Sequence, residues 1–355
     1  MLRYRIIDVA ARDVLCGRYI RLKKIKIAQI GTSNNGHGTH VWKSLLKQTD
    51  IFEVVGYAFP ENEWERFPER AEAFNGYKEF TVEEILNNPE IEAIAVETEE
   101  INLTKYALMV AKAGKHLHME KPGGVELSEF KMLIDILKTK GLVFSTGYMY
   151  RFNPKIREAI NKIKNGELGK IYSVEAHMDC KHPTELRQWL EIFPGGMLFY
   201  LGCHLIDLIY QIQGEPLEVI PLSCSTGIDD ISTEDYGMVV FKYPNGISFA
   251  KTCANECGGF LRRQLVICGE KGTIEIKPLE VLVSEGLYTV SNESYDNSGE
   301  NWSAQWNTSQ TEVYDRYDGM MRNFAEMVKG KENPYSYDYE LGLYKLILKS
   351  CRKDI

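Results

Sequence analysis

Between residues 25 and 147, short apolar segments alternate with amphipathic segments, and no other feature restricts the possible folds of this chain as strongly. Short apolar segments of this kind are typical of strands that are buried in a sheet. The predicted strands cover residues 25–31, 54–59, 91–98, 116–120 and 142–147. Strands that alternate with helices indicate right-handed crossovers and a parallel sheet. Ligands of such sheets bind beyond the carboxyl ends of the strands.

The helices predicted between these strands have recognisable ends. Thr81 and Glu84 have the spacing of a capping box, in which each side chain bonds the backbone amide of the other residue. Gly114 and Gly141 are expected to end helices, because glycine readily adopts the left-handed conformation found there. Ser128 is expected to cap the helix that Gly141 ends. The predicted helices cover residues 39–47, 81–89, 104–114 and 128–141.

After about residue 150 the pattern changes to strands that follow one another through short turns. Predicted strands cover residues 171–178, 217–224, 235–243, 247–253, 263–269 and 273–278. Tight turns are expected at 244–246 and 269–272, so we predict a mostly antiparallel sheet. Helices are predicted over residues 153–169, 197–213, 319–329 and 339–350. The polar segment 284–312 is predicted to be a loop or an insertion.

These patterns predict two domains, at residues 25–148 and 149–355, after a poorly ordered extension at residues 1–24. The net charge of −8 argues against nucleic acid as a partner, since phosphate binding needs a basic surface. No apolar run approaches the length of a membrane span. The eight cysteines form no C-x-x-C pair, so we expect reduced thiols in the cytoplasm and no metal site.

The turn after the first strand, GTSNNGHG at 31–38, is a candidate cofactor site. Its glycines fit the first and third positions of the dinucleotide fingerprint, with serine at the second position. The candidate cofactor-binding residues of this turn are Gly31, Ser33, Asn34, Asn35 and Gly36. A plain turn that binds no nucleotide is the alternative. The second strand ends in Phe59, where an acid would hold the ribose of NAD, and the nearest carboxylate is Glu61.

Two further motifs contain groups that can transfer a proton. Lys121 follows the fourth strand, and in a dry cleft its pKa can be pulled toward neutrality. Taken alone, it is equally a surface lysine in a turn before proline. His204 and Tyr200 are four residues apart in a predicted helix, so they share a face. A histidine there can take a proton from an alcohol, although a single histidine is more often a structural one.

Together these segments resemble the glucose–fructose oxidoreductase / inositol 2-dehydrogenase (Gfo/Idh/MocA) family of NAD(P)-dependent enzymes. The resemblance runs from about residue 25 to about residue 345. It depends on the order and spacing of AGKHLHMEKP (113–122), GYMYRFNP (147–154), NGELGKIYSVEAHM (165–178) and GGMLFYLGCHLID (195–207). It implies an N-terminal Rossmann domain and a C-terminal α+β domain with a large, mostly antiparallel open sheet. That sheet often forms the interface of a homo-oligomer, here a dimer or a tetramer.

The resemblance also implies roles for particular residues. Lys121 would contact the nicotinamide ribose and the reacting oxygen, and His204 would be the general acid/base, assisted by Tyr200. Thr98, Glu120 and Lys121 would join the turn residues in binding NAD or NADP. Arg151 and Asn153 would face the cleft that holds a sugar, glycoside or cyclitol substrate. The rings of Tyr148 and Trp189 suit stacking on such a substrate, although aromatic residues are more often part of a core.

Four departures from the family pattern leave a second hypothesis open. Ser33 replaces a glycine, Phe59 replaces the ribose acid, and Tyr200 replaces an aspartate. After the third strand, Glu99 and Leu103 replace a proline and a histidine. An inactive relative that senses a sugar or a nucleotide is therefore the alternative to an enzyme, although the chain retains both Lys121 and His204.

Overall fold

The computed structural model describes residues 23–296 and 305–352. The predicted N-terminal extension, apart from its last two residues, lies outside the described residues. No helix among the residues that the structure describes is long and apolar enough to cross a membrane.

The first half of the chain contains the predicted parallel sheet. Its five strands lie in the order β2-β1-β3-β4-β5, and each adjacent pair is parallel. The strands are β1 Ile25–Ile30, β2 Phe52–Ala58, β3 Ala93–Val96, β4 His116–Met119 and β5 Phe144–Thr146. Because β2 and β3 lie on opposite sides of β1, the strand order reverses there. A ligand crevice is expected outside the carboxyl end of β1.

Helices connect these strands, and their ends agree with the local signals in all but one case. The helices are α1 Gly38–Lys47, α2 Glu63–Arg66, α3 Pro68–Ala71, α4 Val82–Asn87, α5 Leu103–Lys112 and α6 Leu127–Lys140. Thr81 and Glu84 form the predicted capping box, and Gly141 ends α6 in the left-handed conformation. The prediction for Ser128 was wrong, because α6 begins at Leu127, which packs against the core. Ser128 therefore lies inside the helix.

The second half contains an eight-stranded sheet in the order β15-β14-β11-β10-β6-β9-β8-β7. Every adjacent pair is antiparallel except β6 and β9, which confirms the predicted mostly antiparallel sheet. Its strands are β6 Ile171–His177, β7 Glu218–Pro221, β8 Tyr236–Tyr243, β9 Gly246–Cys253, β10 Gln264–Gly269, β11 Gly272–Ile276, β14 Val290–Tyr295 and β15 Asn307–Gln310. A separate hairpin pairs β12 Val281–Val283 with β13 Gly286–Tyr288.

The prediction of a loop over 284–312 was wrong, since β13, β14 and β15 lie in that segment. β15 is an edge strand and β14 lies between it and β11, and polar side chains of these three strands bond to one another across the sheet. Asn292 Nδ2 donates to Glu275 Oε2, and Thr308 Oγ1 donates to Asn292 Oδ1. Strands of this kind are solvated and carry no apolar alternation, so the hydrophobic pattern did not reveal them.

Five helices complete the second half: α7 Pro154–Lys164, α8 Thr184–Trp189, α9 Cys203–Gln213, α10 Asp318–Val328 and α11 Tyr337–Ser350. A π-helical turn, Leu198–Gly202, leads directly into α9. α10 and α11 return to the first half of the molecule. Ser44 Oγ on α1 donates to Asp318 Oδ1 at 2.8 Å, and the rings of Phe130 on α6 and Tyr344 on α11 are 4.4 Å apart. The end of the chain thus covers helices of the parallel sheet.

Candidate active site

The turn between β1 and α1 folds tightly against the end of β3. Gly31 has a φ of 84°, and a Cβ atom there would lie 2.5 Å from Thr98 Cγ2. Ser33, at the second fingerprint position, has a φ of 48°, which lies in the region that glycine favours. Its Oγ accepts a hydrogen bond from the Gly36 amide at 3.2 Å. The serine therefore preserves the conformation that the fingerprint requires.

This turn fits a dinucleotide. It lies at the amino end of α1, where backbone amides and the helix dipole favour phosphate, and at the point where the strand order reverses. Lack of a side chain at Gly31 permits the close approach to Thr98. The structure brings together Gly31, Ser33, Gly36 and Thr98, all predicted cofactor residues. Of the two other candidates in the turn, Asn34 is exposed and Asn35 is half-buried.

A carboxylate that sequence reasoning missed lies against this turn. Phe59 packs on the rings of Tyr57 and Phe74, but Glu63, at the start of α2, is 1% exposed. Glu63 Oε2 accepts a hydrogen bond from the Thr32 amide at 3.0 Å. Burial raises the pKa of Glu63 to about 8. Because the acid comes from beyond the end of β2, no signal at the strand end could reveal it.

Lys121 follows β4 and is almost completely buried. Its Nζ donates to the Tyr200 carbonyl at 3.0 Å and lies 3.5 Å from Glu120 Oε1. The surroundings of Lys121 do not favour the lowered pKa that a dry cleft can produce. Burial lowers the pKa of Lys121, but the surrounding Cys203, Glu120 and Glu100 outweigh burial and raise it above its ordinary value. Lys121 is therefore an ammonium at neutral pH.

Buried acids surround this ammonium from the first half of the molecule. The carboxylates of Glu97 and Glu100 are fully buried, and no oxygen of either has a hydrogen-bond partner among the described residues. Burial and the nearby Glu120 raise the pKa of Glu97 well above its ordinary value. Burial also raises the pKa of Glu120, but the nearby His37 and the Lys121 ammonium lower it further, which favours the carboxylate form of Glu120. Glu97 is the protonated member of this pair.

His204, near the start of α9, faces the same region from the second half. Its ring lies edge-on to those of Tyr148 and Tyr150, at centroid distances of 5.8 and 5.4 Å. Neither ring nitrogen has a hydrogen-bond partner among the described residues. Burial, with the nearby charge of Lys121, lowers the pKa of His204 well below its ordinary value. It is a neutral imidazole with free capacity to bind a hydroxyl group.

Tyr200 connects the two halves, although not through the predicted contact with His204. Its hydroxyl donates to the Asn35 carbonyl in the dinucleotide turn at 2.7 Å, and its own carbonyl accepts from Lys121. The Lys121 ammonium lies 4.8 Å from the Tyr200 ring centroid. Trp189, a predicted substrate residue, meets the Tyr200 ring edge-on at 5.3 Å. Tyr200 thus contacts both the Lys121 ammonium and the dinucleotide turn.

Two predicted substrate residues have structural contacts instead. The Arg151 guanidinium is buried between the carboxylates of Asp207 and Glu340, at 2.7 and 2.6 Å, and these ion pairs occupy it. Asn153 caps α7 by accepting from the amides of Lys155 and Ile156. The predicted position of Arg151 and Asn153 in the cleft is therefore corrected. Tyr148 lies beside His204, and the Arg151 guanidinium packs on the Tyr148 ring.

Sequence reasoning also missed His37 and the surroundings of Tyr150. His37 Nδ1 lies 3.1 Å from Glu120 Oε1, which brings the dinucleotide turn to the end of β4. The Tyr150 hydroxyl donates to Glu280 Oε2 at 2.7 Å, and Arg263 contacts the same pair. Pairing of residues more than 80 positions apart has no signal in one sequence, although His37 does lie inside the turn that the fingerprint identifies.

The described residues contain neither a candidate metal site nor a disulfide. In residues 23–296 and 305–352 there is no group of three or more metal-binding side chains placed to hold an ion. The seven cysteines in these ranges are unpaired.

Comparison with known proteins assigns both halves to one family. Residues 25–148 match the family model of an oxidoreductase family with an NAD-binding Rossmann fold, and residues 156–275 match the GFO/IDH/MocA C-terminal domain. The chain belongs to the Gfo/Idh/MocA family of oxidoreductases. The predicted family, fold class and cofactor class are therefore confirmed. This Gfo/Idh/MocA member is an NAD(P)-dependent oxidoreductase.

Similar proteins include uncharacterised oxidoreductases and a named dehydrogenase. YhhX, an uncharacterised oxidoreductase of Escherichia coli, is 32% identical over 42% of this chain, and the match spans 44% of YhhX. An uncharacterised oxidoreductase of Schizosaccharomyces pombe is 28% identical over 74% of each chain. Myo-inositol 2-dehydrogenase of Thermotoga maritima is 23% identical over 64% of this chain and 66% of that protein.

Solved structures show the same fold. An oxidoreductase of Desulfitobacterium hafniense, described as NADPH-dependent, has a TM-score of 0.78 at 17% identity, over 93% of this chain and 95% of that one. KijD10, a 3-ketoreductase from Actinomadura kijaniata solved with NADP and TDP-benzene, has a TM-score of 0.73 at 16% identity. That match covers 94% of this chain and 99% of KijD10.

Proposed function

We propose that this enzyme transfers hydride between a nicotinamide cofactor and a secondary alcohol of a sugar, glycoside or cyclitol. One observation carries the proposal: Lys121 and His204 come from the two halves of the molecule and are buried around Tyr200, beside the dinucleotide turn. Their pKa values are shifted in opposite directions. Pairs of titratable groups separated in this way are typical of acid–base catalysis.

His204 and Lys121 would have different roles at the reacting oxygen. A bound NAD(P) supplies the acceptor for hydride, or its donor in the reverse direction. The neutral imidazole of His204 accepts the proton of the alcohol hydroxyl, since both its nitrogens are free of protein partners. The Lys121 ammonium donates a hydrogen bond to the same oxygen and stabilises the negative charge that develops there. Tyr200 assists by holding Lys121 through its carbonyl.

The turn residues Gly31, Ser33 and Gly36 would hold the pyrophosphate through backbone amides. Glu63 would supply the ribose acid that Phe59 cannot supply, because it already contacts the amide of Thr32 in the turn. We therefore propose that the cofactor is NAD rather than NADP, since an acid that bonds the ribose hydroxyls is typical of NAD sites, and above its pKa of about 8 its charge would also repel a 2′-phosphate.

The substrate class follows from the site's aromatic rings and from one relative. Tyr148 and Tyr150 surround His204 with flat apolar surfaces, and their rings suit contact with the C–H faces of a polyol ring. The relative from Thermotoga maritima is named for a cyclitol substrate. The alternative of a non-enzymatic sensor has no support from these relatives, and the buried pair Lys121 and His204 argues against it.

We further propose a cytoplasmic homo-oligomer, a dimer or a tetramer, joined through the open face of the eight-stranded sheet. Ile220, Val240 and Phe249 lie side by side on that face, in register across β7, β8 and β9. Ile220 is 39% exposed and the other two are half-buried. A contiguous apolar row of this kind is typical of an interface between subunits.

Replacing Lys121 by Ala tests the proposed function. Purified protein is first assayed against a panel of sugars, glycosides and cyclitols with NAD and with NADP, by absorbance of the reduced nicotinamide. On the best substrate, we expect Lys121→Ala to lower kcat/KM by about 1,000-fold or more, because it removes the charge on the reacting oxygen.

Lys115→Ala is the matched control, because Lys115 is also buried but its Nζ donates to the carbonyls of Asn88 and Ile91, at the opposite end of β4. We expect it to cost stability and leave kcat/KM near the wild-type value. Full activity in Lys121→Ala, or no oxidation of any alcohol by the wild type, would overturn the proposal.

A further inference from the structure

His37 lies between the buried acid–base groups and the surface. Its Nδ1 is 3.1 Å from Glu120 Oε1, and its ring centroid is 6.5 Å from that of His204. The His37 side chain is 20% exposed, whereas that of Glu120 is 1% exposed. His37 therefore contacts the interior of the site and the solvent at once.

The proposed reaction leaves a proton in a place that solvent does not reach. Oxidation of an alcohol breaks a C–H bond, whose electron pair leaves as hydride to the nicotinamide, and an O–H bond, whose proton stays on the protein. His204 is 1% exposed, and the charges of Lys121 and Arg316 add to the cost of a positive imidazolium there. The proton must pass from His204 to a group that can hold it.

His37 is suited to receive that proton because a carboxylate lies against its ring. Glu120 lies 3.5 Å from the Lys121 ammonium, which favours its carboxylate form. A carboxylate bonded to one ring nitrogen orients a histidine and fixes its tautomer, which leaves the other ring nitrogen to take up a proton. The same carboxylate does not contact His204 through any hydrogen bond in the described part of the chain.

The neighbours of His37 come from four elements. Glu120 and Lys121 lie at the end of β4, and His204 lies on α9. The Tyr317 ring, just before α10, is 5.5 Å from the ring of His37, and Arg316 lies beside Tyr317. His40, on α1, stacks on the same Tyr317 ring at 5.3 Å. His37 and His40 thus share a neighbour, but the bond to Glu120 belongs to His37.

We propose that His37 and Glu120 form a proton relay between His204 and solvent. In oxidation, His204 passes the hydroxyl proton to His37 through one bridging water or hydroxyl group, and His37 releases it to bulk water. In reduction the same proton moves inward. Only N–H and O–H bonds are made and broken, so no further oxidant or reductant is needed. His37 is a positioning residue for the reaction, and the relay rests on the proposed function.

The test compares His37→Gln with His40→Gln, using the alcohol that wild type oxidises best in the panel. We expect His37→Gln to lower kcat by about 10- to 100-fold at unchanged KM, because proton release becomes slow. Its solvent deuterium isotope effect on kcat should rise, and added imidazole should restore much of the rate. His40→Gln should keep the wild-type kcat and show no response to imidazole.

Glu120→Gln gives a second route to the same result if His37→Gln does not fold, since it removes the carboxylate from the relay.

Affinity for NAD, measured by calorimetry, should be unchanged in His37→Gln. A wild-type kcat and isotope effect in His37→Gln would overturn the relay while leaving the proposed function intact. A loss of rate that imidazole does not restore, with a parallel loss of NAD affinity, would also overturn it. If wild type oxidises no alcohol, the proposed function fails first and the relay fails with it.

Discussion

At the scale of single residues, the active site consists of ionisable groups whose charges are set by one another. Lys121 and Glu120 are kept charged and His204 is kept neutral, although all three are almost fully buried. In each case burial opposes the charged form, and nearby charges decide whether burial prevails. Lys121 and Glu120 each have an opposite charge nearby, whereas His204 faces like charges.

Glu63 provides a prediction about the cofactor. At pH 9, above the pKa of about 8 at which Glu63 ionises, we expect wild type to bind NAD more tightly than NADP. Glu63→Gln should reduce that preference by about 10-fold or more at this pH, since a hydrogen bond to a charged group is worth about 1.5–3 kcal/mol. Isothermal titration with each dinucleotide measures both affinities without any turnover.

Glu61→Gln is the control for Glu63→Gln, because Glu61 bonds Lys105 and Tyr106 instead of the turn. It should keep the wild-type preference. An unchanged ratio of NAD to NADP affinity in Glu63→Gln would show that the ribose carboxylate lies elsewhere.

Whether each of these residues could be predicted depends on where its partners lie in the chain. Lys121, His204 and the turn residues belong to local motifs, so their places were predictable. Glu63 and His37 depend on contacts across the fold, and a sequence contains no direct sign of such pairs. Arg151 was predicted at the cleft from the family resemblance, but Asp207 and Glu340, distant in sequence, bind its guanidinium.

At the scale of elements, the two sheets differ in how well the pattern of apolar residues predicts their strands. The strands of the parallel sheet are buried and apolar, so each was predicted within a few residues. β15 is a polar edge strand, and the polar strand β14 pairs with it through contacts such as Thr308 with Asn292, so the pattern suggested a loop there. The apolar pattern identifies strands that face a core, and it misses strands that face water.

The open face of the large sheet provides a prediction about assembly. We expect Phe249→Glu to shift the proposed oligomer to a smaller species, because a carboxylate buried at an interface without a partner costs several kcal/mol. At about 3 kcal/mol the dissociation constant rises about 100-fold. Sedimentation velocity over a range of concentrations measures the change.

Met132→Glu is the control for the sheet face, since Met132 is 51% exposed on α6, away from the sheet. It should leave the mass of the oligomer unchanged. If Phe249→Glu has the same mass as wild type at every concentration, this face is not the interface.

At the scale of the whole molecule, the buried acids make stability depend on pH. Burial raises the pKa of Glu100 to about 7 from an ordinary value of 4.5. The folded state therefore binds this proton more tightly than the unfolded chain does. Its contribution to stability is complete below pH 4.5 and is lost as the pH rises toward 7. Over that interval the loss amounts to about 3 kcal/mol.

We expect the cofactor-free protein to be more stable at pH 5 than at pH 8, and Glu100→Gln to remove much of the difference. Denaturant unfolding at several pH values measures it, with the exposed Glu83→Gln as control. A pH dependence in Glu100→Gln equal to that of wild type would assign the effect to other acids.

The last two helices have a consequence for how this protein can be divided. α10 and α11 follow the eight-stranded sheet in the chain, yet Asp318 and Tyr344 rest on α1 and α6. A cut near residue 148 would strip the nucleotide half of its cover and expose the faces of α10 and α11 that pack on it. Chimaeras that exchange cofactor halves between relatives must therefore carry the C-terminal helices with the half that they cover.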